Sequence, residues 1–511
     1  MLSKILSASI IGIDAHIVEV EVDITARGLP HFSLVGLPDT AVKESKDRVR
    51  AALKNIGFQF PLKQITVNLA PADVKKEGSS YDLPIAVGII IAEGILKEDS
   101  QGGFLITGEL SLDGRLKPVR GALSMALKAR DLGLRGIILP LANASEAAVV
   151  EGVNVFGLNS LPHVIEFLAG SSKEEPFIVD VQKAIQENSV YEHDFSDVKG
   201  QEHAKRAFEV AAAGGHNMLM IGPPGSGKTM LARRLATILP GMTFEEALET
   251  TKIHSVGGLL KDGKPLLAIR PFRSPHHTIS DVALIGGGQV PKPGEVSIAH
   301  NGLLFLDELP EFKRNVLEVL RQPIENGEVT VSRAVASITY PATFMLVAAM
   351  NPCPCGYYSD RRHQCTCTAG QIHRYRHKVS GPLLDRIDIH LEVPAVEYKE
   401  LSQEYSGENS ENIRKRVCDA RTIQLERFHN EKNIYANGQM KTRHIKKYCK
   451  LLPDAHVLLD TAMRKLGLSA RAYARILKLS RTIADLDSSY EIAADHVSEA
   501  VQYRTLDRSM F

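Results

Sequence analysis

Residues 222–229 read Gly-Pro-Pro-Gly-Ser-Gly-Lys-Thr, between the short apolar run Met218–Ile221 and an apolar-periodic segment over 230–239. The order strand, glycine-rich loop, helix confines this part of the chain to an α/β fold, in which a buried strand hands over to a helix N-terminus. Gly222, Pro223, Pro224, Gly225, Ser226 and Gly227 form a loop whose backbone N–H groups can converge on phosphate oxygens, aided by the helix dipole. Lys228 is placed to reach the β- and γ-phosphates of ATP, and Thr229 to offer its hydroxyl to Mg²⁺. A ligand-free strand–helix turn is the alternative, but every fixed position of the phosphate loop is matched in the right context.

Hydrolysis needs more than a phosphate cradle. Residues 303–308, Leu-Leu-Phe-Leu-Asp-Glu, read as an apolar strand ending in two acids. On a central parallel sheet such a strand presents Asp307 and Glu308 at its carboxyl end, beside the phosphates. Asp307 then holds the Mg²⁺ water shell and Glu308 polarises the attacking water. A second apolar strand, 344–350, ends at Asn351, suited to orienting that water or sensing the γ-phosphate. The plainer reading is that these are strand ends with polar caps.

At 511 residues the chain exceeds one ordinary core, and its length suggests about three domains. Residues 1–169 mix strand-like runs (16–24, 64–69) with helical patterns (40–55, 121–132), an α/β domain. A polar stretch, 170–197, reads as a linker, 198–394 as the core that carries the motifs, and 395–412 as a polar, acidic connector. Residues 413–511 have helical periodicity and few strand signals. Net charge is +1, so affinity for nucleic acid has to come from local patches. The longest apolar stretch, 85–95, is broken by Gly88, Glu93 and Gly94, which excludes a membrane span there. The first residues lack the order of a secretory signal, and six cysteines make no disulfide framework in a chain of this size. A cytoplasmic protein with no membrane partner is expected.

With the phosphate loop, the acid-ended strand and Asn351 in this order, the chain resembles the AAA+ superfamily. Residues 214–217 (Gly-Gly-His-Asn), 270–277 (Arg-Pro-Phe-Arg-Ser-Pro-His-His), 309–312 (Leu-Pro-Glu-Phe), 349–356 (Ala-Met-Asn-Pro-Cys-Pro-Cys-Gly) and 380–388 (Ser-Gly-Pro-Leu-Leu-Asp-Arg-Ile-Asp) narrow it. They are similar to the magnesium-chelatase-like branch and, within it, the YifB group, over essentially the whole chain. The resemblance implies a P-loop α/β/α core with a helical lid, and a homohexameric ring with ATP bound between subunits. An arginine from one subunit would complete its neighbour's site, and Arg386 is the candidate; a surface ion pair with Asp385 or Asp388 is the alternative. Arg471 matches the lid position that contacts the γ-phosphate of its own subunit, with Arg475, one turn on, as rival.

The first block resembles the Lon-protease-like (S5-type) fold found beside the ATPase in this family. Residues 81–86, Tyr-Asp-Leu-Pro-Ile-Ala, fall where the protease carries its nucleophile, here Ile85, which has no hydroxyl. The activating lysine falls near Leu123, so neither half of the Ser–Lys dyad is present. Ser79 and Ser80 lie close by without an identified base. The block reads as a structural or binding module and not as an active protease.

Cys353, Cys355, Cys365 and Cys367 form two C-x-C pairs nine residues apart, able to close a tetrahedral zinc site, with His363 as a substitute ligand; reduced thiols without metal are the alternative. Two segments suit a polymer channel: the glycine-rich insertion 254–293, with His276, His277 and Lys292, and the strand pair 328–340, with Arg333 at its tip. Basic residues also gather at 441–447 and at Arg464, Lys465, Arg471, Arg475, Lys478 and Arg481, either a solvated helix face or a DNA or inter-subunit contact. The resemblance implies a DNA motor for branch migration or DNA remodelling in recombination or natural transformation. A chelatase-type ATPase subunit and an ATP-dependent protein remodeller are the other readings.

Overall fold

The structure is a computed structural model. It describes residues 2–25, 29–73, 75–187, 191–260, 263–288, 291–332, 337–358, 360, 363–395, 407–431 and 434–506. The chain forms two compact units, Met1–Ser189 with Phe244–Ala268, and Val190–Thr243 with Ile269–Phe511.

The first unit is built on a seven-stranded mixed sheet. Its strands run in the order His31–Val35, Gln64–Ala70, Asp14–Thr25, Leu2–Ile11, Phe104–Ile106, Gly136–Pro140, Asn154–Leu158. Leu2–Ile11 and Asp14–Thr25 form an antiparallel hairpin, and Gly12, at φ +68°, supplies the left-handed corner of its two-residue turn. Neighbouring residues along the strands serve opposite faces, as the period of two demands. Ile106 and Ile138 join one apolar cluster, and Leu105, Ile137 and Leu139 join another. The sheet is therefore covered on both sides. Helix Asp82–Ala92 is apolar all round after its first residue, and all eleven of its residues are buried. Gly88 lets it press close, since a Cβ there would sit 2.6 Å from Val22 Cγ2. Its one charge, Asp82, is met by Arg48, with Nε–Oδ2 at 2.7 Å and Nη2–Oδ1 at 3.1 Å.

The second unit holds a five-stranded, wholly parallel sheet ordered Phe272–Arg273, Leu303–Leu306, Met345–Met350, Met218–Ile221, Ile389–Glu392. Its central strands are continuous apolar runs because both faces are buried. Register decides what happens at the edge. Ile221 pairs with Met350 and Leu306 with Ala348, so Gly222, Asp307 and Asn351 leave the sheet at one end. Helices Ser410–Phe428, Thr442–Tyr448, Pro453–Leu466, Ala470–Leu486 and Ala494–Gln502 follow, with no strand after Glu392 among the described residues. Val417, Ile476, Ile483 and Val497 share one apolar core with Met218, Val347 and Leu391. No helix among the described residues is long and apolar enough to cross a membrane.

Two features depart from the sequence reading. Helix Phe244–Gly257 and the residues to Ala268, read as part of the central block, cluster with the first unit. The reason is specific bonding: Ser255 Oγ accepts the Gly121 N–H at 3.0 Å and donates to buried Glu146, while Lys252 Nζ lies 2.8 Å from Asp14 Oδ1. The early part of the insertion expected to line a channel is thus engaged elsewhere. The stretch read as a linker contains helix Val181–Glu187, and its Phe195 is fully buried in the second unit's core. Arg333 and most of the 395–412 connector (396–406) lie outside the described residues; the flanking strands Glu328–Ser332 and Ser337–Pro341 do pair, antiparallel.

Ile85 is fully buried in the helix that covers this sheet. Ile85→Ala is expected to cost about 3 kcal/mol. Denaturant unfolding, followed by hydrogen exchange in the first unit, would register it as a lower midpoint for that unit alone.

Candidate nucleotide site

The loop 222–229 is shaped by conformations that only glycine takes easily. Gly225 and Gly227 have φ of +76° and +87°. A Cβ on Gly222 would lie 2.1 Å from the Val393 carbonyl oxygen. Helix Lys228–Ile238 starts directly behind the loop, so its free N–H groups face the loop's interior. Gln201, at φ +55°, steadies the loop by donating Nε2 to Ser226 O at 2.9 Å.

Lys228 is buried, and its Nζ donates to Gly222 O at 2.8 Å, Pro223 O at 2.9 Å and Asn351 Oδ1 at 3.3 Å. Burial lowers its pKa, with the negative charge of Asp307 acting the other way. Thr229 donates Oγ1 to Asp307 Oδ2 at 2.7 Å. Asp307 Oδ1 in turn accepts the Glu308 N–H at 2.9 Å. Glu308 takes the left-handed conformation, φ +53°, and its side chain is 57% exposed, with Oε2 3.4 Å from His277 Nδ1. The structure therefore brings together the phosphate loop, Lys228, Thr229, Asp307, Glu308 and Asn351. A hydroxyl and a carboxylate 2.7 Å apart are hard oxygen donors at a spacing that suits adjacent ligands of Mg²⁺.

Arg386 and Arg471 stand apart from this group; no described contact joins either to it. Arg386 bonds to Glu325 and to the Pro382 carbonyl, and its Nε is buried with no described partner. Neither acid expected beside it is its partner. Asp385 Oδ2 pairs with Arg471 Nη1 at 2.9 Å, and Asp388 pairs with Arg475. Arg471 is 70% exposed, whereas Arg475 is drawn inward, donating Nε to Asp385 O at 2.6 Å. Burial works against the charge on Asp388, yet Arg475 and His216 hold its carboxyl far below the usual range. His216 Nδ1 lies 3.2 Å from that carboxylate, and Nε2 lies 2.8 Å from Thr482 Oγ1.

The basic run on this helix is not the solvated face that its spacing suggested. Arg481 is buried against Asp485, and Lys478 Nζ is spent on Gly438 O at 2.8 Å. Lys478's pKa is lowered by burial. Arg464, Lys465 and Arg471 remain exposed.

Cys353, Cys355, Cys365 and Cys367 place all four sulfurs within 4.8 Å of one another. Measured separations are 3.3, 3.7 and 3.6 Å for the pairs 353–355, 353–365 and 355–365. A tetrahedral zinc with bonds of about 2.3 Å spaces its sulfurs about 3.8 Å apart. A disulfide needs about 2.05 Å. The observed set fits a metal shell. Backbone N–H groups of Tyr357 and Thr366 hold the Cys355 thiol down, to about 5. His363 instead lies 3.7 Å from Asp360 Oδ1 and stacks on Tyr357.

Sequence reasoning missed three participants. His277 was noted as an insertion residue, not as the neighbour of Glu308. Tyr375, whose pKa burial raises, bonds to the Asn351 backbone from a helix that carries no motif. Arg314, His373, Arg374, His377 and Lys378 line a hollow of about 480 Å³ with Glu311 as its acid. Each lies in a different sequence segment from the motif it serves, and only an exposed i, i+4 histidine pair hinted at the last.

Three family models match the chain. "Magnesium chelatase, subunit ChlI" covers residues 194–401, "Subunit ChlI of Mg-chelatase" 20–143, and "Magnesium chelatase, subunit ChlI C-terminal" 407–504. The chain is similar, at 46% identity, to the protein YifB of Salmonella typhimurium, over 98% of this chain and 96% of that one. It is 46% identical to the competence protein ComM of Haemophilus influenzae, over 99% and 98%. The magnesium-chelatase 38 kDa subunit of Rhodobacter capsulatus is 29% identical over 31% of this chain and 50% of its own length.

Asp388 gives a pH test. Its folded pKa is depressed, so its stabilisation is complete above the unfolded value of about 3.9 and is lost as pH falls below it. Asp388→Asn should cost about 3–5 kcal/mol at pH 7, leaving Arg475 and His216 without their anion. Unfolding curves should show that gap closing as pH drops below about 4.

Proposed function

Because the chain belongs to the YifB–ComM family of magnesium-chelatase-like AAA+ proteins, we propose that it is an ATP-hydrolysing ring motor acting on DNA. The observation that carries the ATPase reading is the Thr229–Asp307 contact at 2.7 Å beside a buried Lys228 held against the loop carbonyls. In this reading the loop N–H groups and Lys228 bind the triphosphate, and Thr229 and Asp307 hold Mg²⁺. Mg²⁺, when bound, supplies charge neutralisation on the phosphate oxygens. Glu308 accepts the proton of the attacking water, and His277 steadies its carboxylate. Asn351 orients that water from the neighbouring strand end. Arg386 serves the next subunit of a homohexamer, which agrees with its lack of contact with its own phosphate loop. Arg471, exposed on the helical lid, closes onto the γ-phosphate once it leaves Asp385, and Arg475 is the structural anchor of that helix. Zn²⁺ in the cysteine cluster completes the cofactor set, and a cytoplasmic setting is part of the same proposal.

The first unit is read as a Lon-like module without peptidase chemistry. Ile85 and Leu123 are both fully buried, and Ser79 is occupied by Glu109. DNA as partner rests on the competence relative and on the cationic hollow, whose Arg314, Arg374 and Lys378 suit backbone phosphates. Branch migration or related remodelling of recombining DNA is the activity proposed. A chelatase-type ATPase subunit is the second reading, favoured by the three family models. The Rhodobacter chelatase subunit, however, matches only 31% of the chain.

Three measurements test these readings. Glu308→Gln should bind ATP as the parent does and turn it over at least about 100-fold more slowly. Parent-like turnover would remove Glu308 from the base role. ATPase rate should rise with single-stranded, duplex or branched DNA, and a rate indifferent to all three would leave the chelatase-type reading. Arg314→Ala with Arg374→Ala should flatten the slope of log affinity against log salt by about 2.

A further inference from the structure

The cysteine cluster does not stand alone; it is built onto the phosphate loop. Cys353 follows Asn351 by two residues, and Asn351 accepts a hydrogen bond from Lys228. Gly356, at φ +88°, turns the cysteine loop against Pro224: a Cβ there would fall 2.6 Å from Pro224 Cδ and 2.7 Å from Cγ. At the far end Cys367 runs into Thr368, which caps helix Ala369–Arg376 through a bond from Gln371 N at 3.4 Å. That helix returns to the same place. Arg376 donates Nε to Pro352 O at 3.1 Å and lies over the Tyr358 ring at 5.1 Å, and Tyr375 bonds to the Asn351 backbone.

The loop has little else to hold it. Among its described residues from Cys353 to Thr368, only Cys353 and Gly356 are buried. A segment with no apolar core keeps its shape through covalent or metal links. The sulfur separations match a metal shell and not a disulfide.

We propose that the four cysteines bind one Zn²⁺, and that this ion sets the grip of the phosphate loop on nucleotide. It does so by holding Gly356 against Pro224 and fixing the backbone that presents Asn351. The second half of this inference rests on the ATP-binding reading; the first half does not. Loss of the ion frees the loop, Pro224 loses its backing, and Asn351 no longer meets Lys228 in a set position. The metal is a positioning element, outside contact with the phosphates.

The test uses the full-length protein and two readouts, metal content and the affinity for a fluorescent ADP in excess Mg²⁺. As purified, the protein should carry about one zinc per chain. Stripping zinc with a zinc-selective chelator should weaken nucleotide binding at least about tenfold, and zinc returned at one equivalent should restore it. Gly356→Val should keep its zinc and still lose about tenfold in affinity, because the valine side chain displaces Pro224. Cys355→Ser with Cys367→Ser should lose both zinc and affinity, and the chelation–restoration cycle on the parent covers the case in which that variant fails to fold. Less than about a tenth of an equivalent of zinc in freshly purified protein would overturn the metal site. Unchanged affinity after zinc removal, or in Gly356→Val, would overturn the coupling. A zinc-loaded protein that binds no nucleotide at all would instead sink the ATP reading and leave the metal site standing.

Discussion

One ammonium group organises the centre of the second unit. Lys228 spans the carbonyls of Gly222 and Pro223 and the side chain of Asn351, tying the end of one parallel strand to the end of its neighbour. Its burial would be costly unless a ligand anion or these oxygens met the charge. The parallel register does the rest: with Ile221 opposite Met350 and Leu306 opposite Ala348, three strand ends converge without help from any long loop. Chemistry at this edge depends on a sheet that is buried on both faces and so cannot slip.

A second charged centre, buried in the same unit, is structural. Asp388 sits in the interior with Arg475 and His216, and Asp485 with Arg427 at 2.7 Å, Arg481 at 3.0 Å and Asn437 at 2.7 Å. The first set ties helix Ala470–Leu486 to the sheet strand that follows Asp388, and the second ties it to helix Ser410–Phe428. They also explain why the two arginines at 471 and 475 differ. One is committed to a buried acid, and the other is left at the surface on a half-buried partner.

The phosphate-loop edge is legible in the sequence because its motifs are contiguous and each follows an apolar strand. Leu303–Leu306 and Met218–Ile221 are short, uninterrupted and bounded by glycine or acids, so their places on a parallel sheet follow from composition and order. Helix Thr40–Asn55 is legible for the same kind of reason, through its helical pattern; the structure adds the Asp39 side chain as its cap. Partners across long sequence distances were not. His277 beside Glu308, Gly356 against Pro224 and Glu325 on Arg386 arise from tertiary packing, which no local period encodes. The basic spacing at 471, 475, 478 and 481 misled because it counts charges without seeing the acids at 385, 388 and 485. Helix Phe244–Gly257 gives no sign in its own sequence that it clusters with the first unit.

Ser255, which joins Glu146 and Gly121, is added to the chain only after the phosphate loop and its helix have been translated. Until then the buried carboxylate of Glu146 has, among the described residues, the Asn143 side chain and the Leu123 N–H as donors. Maturation of the amino-terminal portion is thereby tied to synthesis of the segment that follows the nucleotide loop, and a polypeptide interrupted between the two would carry a carboxylate short of one bond in its interior.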